Sequence, residues 1–289
     1  MPSRPYRSVL YIPGSRSRAL EKARTMPVDA IIFDLEDAVA VNEKENARHL
    51  LAKTLQEGGY GARAQIVRIN GFDTEWGEAD LETIAAIGPE AVLLPKVNRA
   101  TDIEALAKKL ETIPAAAETR IWAMMETPHG ILNAAEIAEA PRMAGMVMGT
   151  NDLAKDLGTR PRADREPMIA SLGMCLLAAR AAGIAIVDGV YNAFKDDDGL
   201  RAECIQGRDM GFDGKTLIHP AQVTIANEVF APSDDEIDLA TRQIAAFDEA
   251  MQHGQGVAVV DGRIVENLHV ETALATLAKA EAIAALEVA

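Results

Sequence analysis

The sequence contains little cysteine and few aromatic residues, and each scarcity narrows the class of protein. Only two cysteines occur among 289 residues, with no CxxC pair. A disulfide-stapled secreted scaffold and a thiolate metal site are therefore not expected, and a reduced cytoplasmic protein is. Aromatic residues make up 4% of the chain against 48% apolar residues in all, so the core must be mostly aliphatic. An aliphatic core is typical of a parallel sheet that is buried on both faces.

Positive charge and long apolar runs are also lacking. The formal net charge is −15, which argues against a nucleic-acid-binding protein because phosphate contacts need a positive surface. No apolar run approaches the roughly 20 residues of a membrane-spanning helix, and the N-terminal run ends at Pro13-Gly14 before it could serve as a secretion signal. We expect no nucleic-acid partner and no membrane partner.

One stretch of the chain departs from this acidic balance. Residues 1–28 contain a single acidic residue, Glu21, and six basic ones: Arg4, Arg7, Arg16, Arg18, Lys22 and Arg24. On charge alone, these basic residues are best interpreted as a solvent-exposed surface. The alternative is a binding site for an anionic small molecule, which would also require a basic cluster.

Short apolar runs recur along the chain, and each is followed by a polar turn and then, in most cases, by an amphipathic segment. There are eight of them: Ser8–Ile12, Ala30–Phe33, Ala64–Ile69, Ala91–Leu94, Ile121–Met125, Met143–Met148, Ile184–Val187 and Gly214–Ile218. Alternating strand and helix patterns predict parallel β-α-β units. Eight units close naturally into a (β/α)8 TIM barrel, with an open doubly wound sheet as the alternative.

More chain follows the eighth run than a barrel needs. We assign residues 1–230 to the barrel and residues 231–289 to a C-terminal helix–hairpin–helix extension. The hairpin is predicted from Asp261-Gly262, a dipeptide that favours a tight turn, between two short apolar runs. Since such a hairpin cannot join a closed barrel, we interpret it as a lid over a barrel mouth, its own or a neighbour's.

Polar residues follow nearly every predicted strand, where the active face of a barrel forms. Glu126 and Asp152 follow the neighbouring fifth and sixth strands. Two carboxylates and water suit Mg²⁺, although an ion pair with Arg68 or Lys96 is the structural alternative. Arg68 could clamp a carboxylate or stabilise an oxyanion, or it could pair with an acidic neighbour.

Further polar residues at the same end of the predicted barrel are assigned a supporting role. They would position the metal's water molecules and Arg68; they are Asp34, Glu36, Asp37, Lys96 and Asp188. A serine hydrolase is disfavoured because the chain has no Gly-x-Ser-x-Gly elbow. A phosphate loop of the Gly-x-x-x-x-Gly-Lys type is missing too.

Taken together, the strand-end motifs resemble the citrate lyase β-subunit-like family, which includes citryl-, citramalyl- and malyl-CoA lyases. The similarity extends over almost the whole chain, in order, through RSVLYIPGS (7–15), DLEDAV (34–39), VRING (67–71), PKV (95–97), ETPxG (126–130), GTNDL (149–153) and KTLIHPxQ (215–222).

This resemblance implies a metal-dependent barrel that acts on a small acyl-CoA. Glu126 and Asp152 match the Mg²⁺ ligands, for which Mn²⁺ is an alternative metal, and Arg68 matches the arginine that holds the substrate. Residues that match the segments contacting coenzyme A are Tyr11, Arg16 and Lys22 for its nucleotide and Ile218, His219 and Pro220 for its pantetheine arm. The resemblance also implies a homotrimer or homohexamer in which a lid closes over its neighbour's site.

One position departs from the lyase pattern. The lyases carry an aspartate on the lid that exchanges a proton with the acetyl-CoA methyl group, whereas Glu266 stands at that place here. Its extra methylene displaces the carboxylate by roughly 1.5 Å, one C–C bond, and proton transfer is sensitive to such a shift. Glu266 could instead act on the thioester as base or nucleophile.

Two further stretches, GQGVAVVDGRIVENLH (254–269) and YNAF (191–194), resemble the thioesterase branch, which hydrolyses (3S)-malyl-CoA to malate and coenzyme A. The alternatives are a lyase that gives glyoxylate or another oxo acid, and a non-catalytic acyl-CoA-binding protein. The exact acyl group is open on sequence alone.

Overall fold

The structure, a computed structural model, describes residues 4–288. Two compact units are present: residues 6–230, and residues 231–288 together with residues 4 and 5. Each unit has its own core, and we describe them separately.

The first unit is built on eight parallel strands. They are β1 Ser8–Pro13, β2 Ala30–Asp34, β3 Ala64–Arg68, β4 Ala91–Leu94, β5 Arg120–Met125, β6 Met143–Met148, β7 Ala185–Asp188 and β8 Gly214–Leu217. Each strand pairs with the next, and β8 pairs with β1 in the register Val9↔Thr216. The sheet is therefore a closed barrel, which confirms the predicted (β/α)8 fold and excludes the open sheet.

Helices follow the strands in the expected alternation. In this unit they are α1 Ser17–Ala23, α2 Lys44–Glu57, α3 Gly77–Ala85, α4 Ala100–Glu111, α5 Pro128–Leu132, α6 Ala134–Ala138, α7 Thr150–Leu157, α8 Ile169–Ala182, α9 Asp197–Met210 and α10 Val223–Phe230. Short 3-10 turns precede α2, α8 and α10, and another links α4 to β5. The helix α8 begins only at Ile169, after a 3-10 turn that follows Arg165, whose backbone is left-handed with φ of 51°.

Two apolar layers lie on either side of the sheet. Residues at alternate strand positions face the helices, and the others fill the barrel interior. Inward positions of four strands are alanine: Ala30, Ala64, Ala91 and Ala185. Trp122, which is 2% exposed, belongs to the same interior cluster. One tryptophan, four alanines and several larger aliphatic side chains thus fill the barrel interior together.

The second unit contains α11 Asp234–Gln252, β9 Ala258–Val260, β10 Arg263–Val265 and α12 Asn267–Val288. Asp261 and Gly262 both have positive φ, as a two-residue hairpin turn requires. Ala250, Ala258, Val260 and Val265 form a small separate core. The predicted helix–hairpin–helix extension is confirmed. No helix within residues 4–288 is long and apolar enough to cross a membrane.

The Trp122 packing generates a stability prediction. A Cβ at Gly145 would lie 2.6 Å from atoms of the Trp122 indole, so Gly145→Ala should destabilise the protein by about 1–3 kcal/mol through overpacking. Urea denaturation checks this value. In combination with Trp122→Phe, which removes part of the clashing ring, the alanine should cost less than it does alone. Additive effects of the two substitutions would contradict the clash.

Candidate functional site

Strand alternation places four polar side chains in the barrel mouth. Ile32, Ile66 and Met124 face the interior, and therefore so do Asp34, Arg68 and Glu126, each two residues further on. Tyr11 joins them from β1. Together they border a cavity of about 310 Å³, whose other lining residues are Asp37, Ala38, Met124, Met148, Gly149, Thr150, Asn151, Asp152, Val190, Asn192 and Ile218.

Arg68 is the buried cation of this cavity, with 6% of its surface exposed. Its Nε and Nη2 donate to the two carboxylate oxygens of Asp34 at 2.7 and 2.6 Å. Nη1 lies 2.8 Å from Glu36 and 3.4 Å from Asp37. The guanidinium also stacks over the Tyr11 ring, 4.9 Å from its centroid. Such a bidentate pair fixes the orientation of the planar group, so Arg68 is both ion-paired and directed at the cavity.

The acidic turn after β2, which carries Glu36 and Asp37, is held by a second network of buried hydrogen bonds. Lys44 Nζ donates to the backbone carbonyls of Leu35 and Glu36 and to the side chain of Asn70. Asn70 in turn donates to Asp80 at 2.6 Å. The turn that carries Glu36 and Asp37 is therefore fixed from α2 and α3, so that its carboxylates are pre-positioned around Arg68.

Glu126 lies at the base of the cavity and is 2% exposed. Its Oε1 accepts from the backbone N–H of Lys96 at 2.8 Å. Lys96 has φ of 52°, a left-handed conformation that is unusual for a side chain with a Cβ. Gly149, which directly follows the neighbouring strand β6, faces Glu126, and a Cβ there would clash with the Glu126 Cβ and come within 2.6 Å of Oε2. Glycine at this point leaves room for the carboxylate.

Asp152 lies in the first turn of α7 and lines the same cavity. The pKa of Glu126 is raised to about 7, chiefly by burial and also by Asp152, against the lowering effects of the Lys96 hydrogen bond and of Arg68. Burial likewise raises the pKa of Glu36 to about 7, against the opposing effect of Arg68. Carboxylates thus outnumber the nearby cations, and the site is electrostatically suited to a bound cation.

The donor set fits a hard divalent metal better than zinc. Within residues 4–288 no group of three or more His, Cys, Asp or Glu side chains is arranged to hold a metal ion. Glu126 and Asp152 alone would hold an ion such as Mg²⁺, which keeps several water molecules or takes oxygens from a substrate.

The residues predicted to contact coenzyme A are not all brought together. Tyr11 and Ile218 line the cavity, while Arg16 and Lys22 are exposed at the start of α1 and within it. His219 is exposed next to Ile218, where its Nδ1 accepts from Ala221 and its ring stacks on Phe194 at 4.7 Å. Pro220 begins the turn before α10.

Two of the basic N-terminal residues have structural partners: Arg7 pairs with buried Asp29, and Arg24 with Glu21 and Glu57.

Two further predicted residues lie apart from the cavity lining. Asp188 follows Ile186 on the outward face of β7 and accepts from Arg165 at 2.8 Å and from Lys215 at 3.1 Å. These bonds hold β7, β8 and the segment before α8 together. Glu266, predicted to be catalytic, is exposed at the start of α12, and its backbone N–H donates to His269.

Sequence reasoning missed several residues of the site. Gly149 makes room for Glu126, the Lys96 backbone supplies its hydrogen bond, and Lys44 and Asn70 support the acidic turn. The glycine that directly follows β6 was a readable signal. Lys44 was not, because its partners, two backbone carbonyls and the Asn70 side chain, are brought near it only by the fold.

Comparison with known proteins identifies the family to which this barrel belongs. The model of the HpcH/HpaI aldolase/citrate lyase family matches residues 7–220, which span the barrel and every cavity-lining residue. The chain belongs to this family. A (3S)-malyl-CoA thioesterase of Cereibacter sphaeroides is 68% identical over 281 residues, 97% of this chain and 96% of that protein.

More distant members of the HpcH/HpaI family show the same extent of similarity. The citrate lyase subunit beta of Escherichia coli is 35% identical over 285 residues, covering 96% of this chain and 94% of that subunit. The structure of CitE from Mycobacterium tuberculosis in complex with magnesium, acetoacetate and coenzyme A superposes with a TM-score of 0.80. That match has 30% identity and covers 97% of this chain and 100% of the other.

The contact between Gly149 and Glu126 generates a prediction for metal binding. Gly149→Ala should displace the Glu126 carboxylate and weaken Mn²⁺ binding by about tenfold or more, the usual range for residues that position a ligand. Titration followed by electron paramagnetic resonance measures the affinity. Gly173→Ala is the matched control, because a Cβ at Gly173 meets no atom within 4 Å. Equal metal affinity in the two variants would show that the Gly149 contact does not position the ligand.

Proposed function

We propose that this chain hydrolyses (3S)-malyl-CoA to (S)-malate and free coenzyme A. The observation that carries the proposal is the 68% identity to the Cereibacter sphaeroides thioesterase over 97% of the chain. Hydrolysis of this ester needs a group that binds the malyl end, a donor for the carbonyl oxygen and a carboxylate that activates the attack.

Glu126 and Asp152 are our proposed ligands of a divalent metal, Mg²⁺ by preference and Mn²⁺ as a substitute. The magnesium complex of Mycobacterium tuberculosis CitE and the excess of carboxylates around this cavity support the assignment. When bound, the ion would orient and polarise substrate oxygens. Burial of Glu126 keeps its carboxylate away from bulk water, which strengthens its attraction for a cation.

Arg68 is proposed to stabilise the thioester carbonyl oxygen as negative charge develops on it. The guanidinium has five N–H groups, and Asp34 fixes two of them through Nε and Nη2. Nη2 therefore keeps a second N–H for the substrate. Because Asp34 and the Tyr11 ring already hold the group in place, little reorganisation is needed during the reaction.

For coenzyme A we propose an approach along the β1 and β8 side of the mouth. Tyr11 and Ile218 border the cavity there, and His219 and Pro220 follow for the pantetheine arm. Arg16 and Lys22 are exposed on the neighbouring segment, where their charges would meet the nucleotide phosphates. Both cysteines are free and buried, which is typical of a reducing compartment, and we propose a cytoplasmic location.

Glu266 is proposed to act on the thioester of a neighbouring copy in a homotrimer or homohexamer, as base or as nucleophile. Two apolar surfaces support such an assembly. Val259 and Ile264 are cross-strand partners on the outer face of the hairpin, 66% and 62% exposed. On α8, Leu177 is 74% exposed, with Met174 and Ile169 also partly exposed. Apolar surfaces of this kind are typical of subunit contacts.

The first test of the function follows two products together. With (3S)-malyl-CoA and Mg²⁺, free thiol should appear without glyoxylate, because hydrolysis breaks the C–S bond and leaves the carbon skeleton intact. A chelator should abolish the thiol signal. Glyoxylate without free thiol would identify the chain as a lyase, the activity class suggested by the 35% identity to citrate lyase subunit beta.

The role of Glu266 can be tested by mixing inactive variants. Glu266→Gln and Glu126→Gln should each lose most of the activity, since one lacks the attacking carboxylate and the other a metal ligand. If each site combines one copy's barrel with its neighbour's hairpin, co-refolded variants should regain roughly a quarter of the activity, as random assembly of heterologous contacts dictates. Thiol release reports the recovery.

Two outcomes would contradict this role. Full hydrolysis by Glu266→Gln with metal bound would remove Glu266 from the reaction, and no recovery on mixing would place each hairpin on its own barrel. Glu266→Asp is the conservative companion: carbon–carbon cleavage in this variant would support the argument that carboxylate reach separates hydrolysis from lysis.

A further inference from the structure

A second cavity of about 430 Å³ lies beside the first, and the proposed reaction does not use it. The two share Thr150, Asn151, Val190 and Asn192. Across this shared wall the side chains of Asn151 and Asn192 hydrogen-bond to each other in both directions, at 2.8 and 3.3 Å. The wall is therefore a pair of uncharged amides that can separate without leaving a buried charge.

The second cavity is lined by three arginines in a chain whose net charge is −15. Arg162 is paired with Asp164 at 2.6 Å. Arg160 is exposed and forms no ion pair with any residue in the range 4–288. Glu203 also borders the cavity, but it accepts from Lys215 at 2.6 Å, so that its charge is already balanced. With Arg162 and Glu203 paired, Arg160 supplies a positive charge that no ion pair within residues 4–288 takes up.

Arg165 provides a separate indication of a ligand. It is 7% exposed and lines the cavity. Its Nη1 donates to both oxygens of Asp188, and its Nε donates to Gln206. Nη2 is buried and has no hydrogen-bond partner among the described residues. Leaving a buried cationic donor unsatisfied is costly, and an anionic oxygen in the cavity would satisfy it.

We propose that this second cavity binds a small dicarboxylate, the acid that hydrolysis releases. The inference rests on the proposed function for the identity of the acid. Coenzyme A is assigned to the β1 and β8 side of the mouth, whereas the second cavity lies on the β6 and β7 side. An acid leaving the metal site would therefore meet the Asn151–Asn192 wall first, and beyond it guanidinium groups suited to carboxylates.

The direct test measures (S)-malate binding by calorimetry to the full chain, with chelator present and no coenzyme A. Wild-type protein and Glu126→Gln should bind malate equally, because the second cavity needs no metal. Arg160→Gln should weaken binding by about tenfold, the loss expected for one charge-assisted contact. Arg208→Gln removes an exposed charge on α9 that does not line the second cavity, and it should bind as the wild type does.

A kinetic measurement complements the binding test. Added malate should inhibit thiol release less strongly in Arg160→Gln, while kcat/KM for malyl-CoA stays within about twofold of the wild-type value, since Arg160 does not line the cavity assigned to the reaction. (S)-Lactate, which has one carboxylate, should bind at least about tenfold more weakly than malate.

Three results would overturn the proposal: no malate binding in chelator, equal binding by Arg160→Gln and Arg208→Gln, or equal affinity for lactate and malate. These results are independent of the reaction itself. A chain that released glyoxylate would refute the thioesterase function and still give a clear answer on dicarboxylate binding in the second cavity.

Discussion

Closure of the eight-stranded sheet is the constraint on which the site depends. A closed parallel barrel has a single interior, and side chains alternate strictly between that interior and the helices. Tyr11, Asp34, Arg68 and Glu126 occupy inward positions at the same end of four different strands. If one of these strands shifted its register by one residue, its polar side chain would move to the outer face of the sheet. It would then lie in the apolar layer beneath the helices, where it would have no partner. The apolar pattern of the strands and the chemistry of the mouth are thus determined together.

The same alternation explains why Arg68 can be buried. A lone guanidinium in this position would carry a large desolvation cost, and Asp34 offsets that cost with two short hydrogen bonds. Asp34 is itself held by the backbone N–H groups of Glu36 and Ala38. Below them, Lys44 and Asn70 fix the acidic turn from behind. The cavity is lined by side chains whose orientations are set before any substrate arrives, which is the usual basis of electrostatic catalysis.

The two buried ion networks of the barrel have different consequences. The network around Arg68 opens into the cavity and leaves carboxylates in excess. The network of Asp188, Lys215, Arg165 and Glu203 faces the helices, with Lys215 fully buried. Its two cations and two carboxylates balance in charge, and it anchors the segment that carries Arg160 and Arg162. Aspartates at the ends of β2 and β7 thus serve different purposes, because one occupies an inward position and the other an outward one.

The sequence by itself determined the barrel, the eight strands to within a residue or two, the hairpin turn at Asp261-Gly262 and the residues that meet at the mouth. Those features follow from local patterns: alternating apolar runs, turn dipeptides and polar residues at strand ends.

The tertiary structure decided the features that local patterns do not encode. It assigned Asp188 to a structural network, brought the Lys44 ammonium to backbone carbonyls eight and nine residues away, and placed Gly149 against Glu126. It also created the second cavity, whose three arginines precede α8 while its asparagines come from α7 and from the segment after β7. Each of these depends on which side chains face each other across a closed sheet, and that is a property of the whole chain.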